Sequence, residues 1–125
     1  WNRITDAGFG LPTLVHPSAV IEASATIAEG AHILAGAYVG ARAHVSEDAL
    51  VNAHAVVSHD CRIGEHAHIA PSATLAGEVV VGRNALVGMG ATVFLGVDIG
   101  QEATVGNGGT VMADVPDRGN VRGGA

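Results

Sequence analysis

The chain has 125 residues and a formal net charge of −6, and it is 48% hydrophobic but only 3% aromatic. That length allows one domain, and the acidic balance argues against a nucleic-acid partner, which would call for a basic stripe. No apolar run approaches the roughly 18 residues of a membrane-spanning helix, no secretory h-region is present, and a cytoplasmic location is expected. An ordinary core draws much of its buried volume from aromatic rings. A chain this apolar with so few of them must enclose a narrow interior.

Residues 1–14 are expected to form a lead-in or cap. Trp1, Phe9, Leu11 and Leu14 are apolar enough to cover the open end of a stacked structure. From Val15 every sixth residue is Val, Ile or Leu: Val15, Ile21, Ile27, Ile33, Val39, Val45, Val51, Val57, Ile63, Ile69, Leu75, Val81, Val87, Val93, Ile99, Val105 and Val111. Phe9 would extend the series by one step. Two residues before each member after Val15 stands a small or compact residue, from Ala19 and Ala25 through Cys61 to Ala103 and Gly109. A period of six belongs neither to an α-helix nor to a simple alternating strand. It is the hexapeptide signature of a parallel β-helix, one short strand and one turn per hexad. Three hexads make a triangular coil with aliphatics inside, small residues at the corners, and glycines serving the tight turns. The fold predicted is all-β, a parallel β-helix of about five to six coils stacked to roughly 27 Å at the usual strand spacing. Its domain is expected over 15–115, with His16-Pro17 at its entry and no inserted loop. The pattern weakens at Asp114-Val115-Pro116-Asp117. Residues 116–125 are expected to be a C-terminal tail, truncated from a longer protein. Cys61 sits at an inward small position and is expected to be packing rather than a reactive thiol.

The phase of the repeat sorts the polar residues. His59 and Asp60 follow Val57 by two and three steps, on an outward corner. His68 immediately precedes inward Ile69 and so projects from a flat face, as do His32 and His44. His54 and His66 are corner residues. His59 and His68 are nine residues apart, half a coil, so one chain cannot bring both to one reacting bond. If both act together the site lies between subunits, and a threefold ring is the natural closed assembly of triangular prisms. Pro71, Met89 and Asn107 recur every eighteen residues just beyond His68, and His59, Gly77 and Leu95 form a second such column. Two columns facing each other across a subunit boundary would line a groove for an extended ligand.

The segment from Asn52 through His59-Asp60-Cys61, Ile63-Gly64 and His68 to Pro71 carries a more specific signal. Its residues and spacing resemble the motif of the nucleotide-sugar N-acetyltransferase and sialic acid O-acetyltransferase family of left-handed β-helix enzymes, a likeness extending over residues 12–117. The left hand of the coil is implied by this resemblance alone, since parallel crossovers in general favour the right hand. The resemblance implies acetyl transfer from acetyl-CoA to an amino or hydroxyl group of a sugar or nucleotide sugar, by a homotrimer and without a metal. It implies His59 as general base, a role suited to neutral imidazole near working pH. Asp60 would orient the ring, and Asn52 would position the acceptor or a water. His68 matches a residue that contacts acetyl-CoA, where a donor would help the developing oxyanion. Gly77, Met89 and Asn107 match positions that contact CoA, although a glycine is expected where Asn107 stands. Arg83, Arg118 and Arg122 are further candidates for its phosphates. Members of that family often carry an N-terminal nucleotide-sugar-binding domain, which these 125 residues are not expected to include.

Plainer readings exist for each residue. His59 can be a solvated corner, Asp60 a turn former, His68 an interface residue and Asn52 a strand-end polar group. Two other functions fit the fold. One is a γ-carbonic-anhydrase-like zinc enzyme, but its His triad is not completed: His32 and His68 have the 36-residue gap with Ala73 where the third ligand belongs, and His54 and His59 have the five-residue gap with Ser18 in place of the first. The other is a trimeric scaffold without catalysis. Attack is expected to be direct, without an acyl-enzyme, because the lone cysteine points inward.

Overall fold

The computed structural model describes residues 12–124. Eighteen two-residue strands, from Leu14–Val15 to Asn120–Val121, form three sheets of seven, six and five strands. The chain visits the sheets in strict rotation, so each sheet is one face of a triangular solenoid. The first face begins at Leu14–Val15, the second at Val20–Ile21 and the third at Thr26–Ile27. All ladders are parallel and in register, as in Leu50↔His68 and Val56↔Thr74, and eighteen residues carry the chain to the equivalent point one coil on.

The corners explain why six residues suffice. After most inward aliphatics, the next residue's carbonyl accepts the N–H three positions later, as in Ala55 N–H to Asn52 O at 3.1 Å. A turn of this kind needs positive φ at its third residue. At every sixth residue from Gly30 to Gly108, φ lies between 55° and 79°. Glycine was expected at such corners, yet Arg42, Asp48, His54, Asp60, His66, Ser72, Glu78, Asn84 and Glu102 all adopt this conformation. Asp, Asn and His tolerate it better than most residues. Many glycines stand two positions earlier in the turn, where space is the constraint: a Cβ on Gly64 would lie 2.6 Å from the Arg83 nitrogen one coil on.

The interior matches the six-residue phase. Ile33, Ile63, Ile69, Leu75 and Ile99 are fully buried, the small corner residues from Ala31 to Ala103 lie beside them, and no polar or charged residue is buried among the described residues. Cys61 is one of the buried small residues, and burial raises its thiol pKa.

The ends differ from expectation. Val115, the last residue of the expected domain, bridges Ile99, and within the segment expected to be a tail Asn120–Val121 pairs with Thr104–Val105, both at offsets of sixteen residues rather than eighteen. The corner after Val111 is two residues shorter, and the Asp114 carboxylate accepts the Asp98 N–H at 2.9 Å across it. The solenoid therefore continues to Val121. At the other end Leu14 is already a strand residue and half exposed, while the capping role expected of Trp1, Phe9 and Leu11 lies outside the described residues.

Replacing Ile33 by Ala should cost about 2–5 kcal/mol by removing buried volume that neighbours cannot refill. Replacing outward Thr74 by Ala should change stability by no more than about 0.5 kcal/mol. Chemical denaturation of the two variants checks the assignment of inside and outside.

Candidate active site

Eighteen-residue stacking aligns the outward side chains of successive coils in ridges. On the corner between the second and third faces, Ser24, Arg42, Asp60 and Glu78 occupy one such ridge, with His59 and Gly77 beside it. The Ser24 hydroxyl accepts the Arg42 N–H at 3.0 Å. The Arg42 guanidinium clasps the Asp60 carboxylate with both prongs, Nε to Oδ1 at 2.9 Å and Nη2 to Oδ2 at 3.0 Å. Asp60 Oδ2 also lies 3.0 Å from His59 Nδ1. The Arg42 hydrogen bonds, and then that of His59, lower the Asp60 pKa from 3.8 to about 2. Asp60 is therefore a carboxylate throughout the working pH range, and an Nδ1–H on His59 is its natural donor.

The Nε2 edge of the His59 ring lies over Gly77, one coil on, where a Cβ would collide with it. The bare Cα of Gly77 is thus what lets the imidazole lie flat on the corner. Beyond it, Phe94, Leu95 and Met112 leave an apolar surface open at 45%, 66% and 69% exposure. None of these three was singled out with the site from sequence except Leu95, and Arg42 was missed altogether. The signal for Arg42 was available: it precedes Asp60 by one full coil.

Asn52 and His68 come together on the first face. The Asn52 amide oxygen accepts the Ala53 N–H at 2.8 Å, which leaves its Nδ2 to donate to His68 Nε2 at 3.2 Å. His68 is thereby held with Nε2 as acceptor, so that in the neutral ring the proton sits on Nδ1. The role expected of Asn52 is to position the acceptor or a water, and its side-chain partner within the chain is His68. Along the adjoining corner, Pro71, Met89 and Asn107 stack as expected: Gly90 N–H donates to Pro71 O and Gly108 N–H to Met89 O. Asn107 has a local use here, its amide oxygen accepting the Met89 N–H at 2.9 Å. That oxygen is consequently taken up within the chain, while the Met89 side chain stays half exposed. Of the three arginines considered for phosphates, Arg122 follows Val121 on this side of the solenoid, whereas Arg83 and Arg118 lie on the corner between the third and first faces.

The two clusters are opposed. His59 lies on the corner between the second and third faces, and His68 lies on the first face, which is the side of the triangle opposite that corner. The buried aliphatic column separates them. The remaining histidines are bound up in ridges and strands. His16 Nδ1 accepts from Ser18 N–H at 3.0 Å at the coil entry, His44 meets Thr26 at 2.6 Å, His66 meets Asp48 at 2.7 Å, and the His54 ring covers Gly36. His32 and His68 share the first face with Leu50 between them.

This fold and repeat have a known counterpart. The model of the bacterial transferase hexapeptide (six repeats) matches residues 42–77, and that of the hexapeptide repeat of succinyl-transferase continues over 78–113. The chain belongs to the hexapeptide-repeat transferases. It is similar to PerB from Caulobacter crescentus, solved with CoA and GDP-perosamine, at 42% identity and a TM-score of 0.94 over 95% of this chain and 57% of that one. Histidine variants of that N-acetyltransferase have been solved with the same ligands. It is also similar to the acetyltransferase domain of PglB from Neisseria gonorrhoeae, solved with acetyl coenzyme A, at 34% identity and a TM-score of 0.94 over 95% of this chain and 58% of that one. WeeI from Acinetobacter baumannii, 24% identical with a TM-score of 0.91, shares the fold. The chain thus spans less than two thirds of the length of these relatives. No curated protein sequence matches it.

Two predictions follow from the His59 corner. Gly77→Ala should swing the imidazole away while leaving the coils intact, which a crystal structure of the variant would show directly. Because the folded-state pKa of Asp60 is depressed, its ion pair should persist above pH 3.8 and be lost as pH falls through about 2. Carboxyl-carbon NMR should find a midpoint there, and a midpoint in the ordinary aspartate range would contradict the geometry.

Proposed function

We propose that this chain is the catalytic solenoid of an acetyl-CoA-dependent N-acetyltransferase whose acceptor is an amino sugar carried on a nucleotide. The observation that carries this reading is the opposition of the two histidine clusters across the prism. One chain holds half a site on each side, and a homotrimer brings the His59 corner of one copy against the His68 face of the next. The similarity to PerB and to the PglB acetyltransferase domain supports CoA and a nucleotide sugar as ligands, and favours an amine over a hydroxyl as acceptor.

In this reading, Asp60 holds the proton of His59 on Nδ1, so the Nε2 lone pair faces the acceptor. As the amine nitrogen attacks the thioester carbonyl carbon, His59 Nε2 takes an amine proton. The oxyanion of the tetrahedral intermediate accepts a hydrogen bond from His68 Nδ1–H, which Asn52 fixes in place. Collapse re-forms the carbonyl and breaks the carbon–sulfur bond, and the imidazolium returns its proton to the departing CoA sulfur. Cys61 takes no part, since its thiol donates to Ala76 O at 3.2 Å inside the core. The pantetheine arm would run in the groove between subunits, against Gly77 and Leu95 on one side and Met89 and Asn107 on the other. Acetyl-CoA as co-substrate and a free thiol both accord with a cytoplasmic setting. No helix among the described residues is long and apolar enough to cross a membrane.

His59→Ala should lower turnover of acetyl-CoA and GDP-perosamine by about 10²–10⁴-fold while retaining trimeric mass and acetyl-CoA binding. Steady-state kinetics with mass-spectrometric detection of the N-acetyl product checks this. Near-parental turnover in the variant would rule out His59 as the base.

A further inference from the structure

We infer that Arg42 is a positioning residue for His59, acting through the Asp60 carboxylate; this rests on the reading of His59 as the base. The carboxylate beside a catalytic imidazole orients the ring only if it is itself held. Asp60 is about one third exposed and sits at a corner with positive φ, where its side chain would otherwise turn freely into solvent. Within the ridge, Glu78 on the next coil has the same charge and offers no tether. Arg42, on the preceding coil, supplies one. Its two parallel hydrogen bonds fix the plane of the carboxylate as well as its position, which a single contact would not do. Oδ2 is shared between Arg42 Nη2 and His59 Nδ1, so fixing that oxygen fixes the direction from which the imidazole is held. The Nε2 edge then lies over Gly77.

The base of the arginine is anchored too, since the Ser24 hydroxyl accepts its backbone N–H. The result is a four-residue relay, Ser24 to Arg42 to Asp60 to His59, spanning three coils at the same corner. Arg42 is 63% exposed, and a solvated ion pair of this kind adds little to folding. Its removal should therefore leave the solenoid standing and reveal its effect on His59 alone.

The test is ¹⁵N NMR of histidine-labelled protein, with the His59 ring signals assigned by their loss in His59→Ala. The parent chain should show neutral His59 as the Nδ1–H tautomer. Arg42→Ala should give a mixture with the Nε2–H form, and Arg42→Lys, which keeps the charge but not the fork, should lie between. Turnover should fall about tenfold or more in Arg42→Ala, with the KM for acetyl-CoA unchanged and the trimer mass retained. An unaltered His59 tautomer in Arg42→Ala overturns the proposal, whether or not turnover changes. A tautomer shift with full turnover would uphold the relay and count instead against His59 as the base.

Discussion

Each coil can stack on the one before only if all three of its corners turn alike. The structure meets this demand with positive φ at every sixth residue from Gly30 to Gly108, which closes each turn and returns the chain to its register eighteen residues later. Register then decides everything else. The inward position receives a branched aliphatic, the small position lies at the inside of a corner, and no polar or charged residue is buried among the described residues. Where the register changes, after Val111, the solenoid absorbs the loss of two residues in a single shortened corner and continues to Val121.

The same constraint assembles the chemistry. Residues eighteen apart are neighbours, so the corner ridges behave as one-dimensional arrays of side chains about 4.8 Å apart. The Arg42–Asp60 ion pair and the Asp48–His66 hydrogen bond are made in this way, and Gly77 is the vacant place on which the His59 ring rests. A triangular cross-section also means that a corner and the face opposite it never meet within one chain. This separates His59 from His68, and in the proposed function a second copy supplies the other half of the site.

The fold was legible in the sequence because its period is expressed at nearly every hexad, in both the aliphatic and the small positions. The corner conformation was not legible, since residues as different as Arg42, His54 and Glu78 adopt it; openness of the corner matters there more than residue type. The paired motif identified His59 with Asp60, and phase alone placed His68 on a face. The contact between Asn52 and His68 was not legible because the motif is linear, whereas the Asn52 amide reaches forward to the next coil's strand, sixteen residues on. Arg42 escaped notice because it lies ten residues before the motif begins, although one coil away in space. The expected tail hid a strand because a shortened corner breaks the six-residue count before Val115 and Val121.

The central claim is that the active site is shared between copies of this chain, His59 from one and His68 from its neighbour. It can be tested by mixing. His59→Ala and His68→Ala proteins should each be inactive alone. After denaturation and refolding together they should recover about a quarter of parental activity, since random assembly of a threefold ring restores both histidines at that share of its interfaces. Recovery near this level would establish the shared site. Mixed trimers, verified by mass, that remain as inactive as either variant would contradict it.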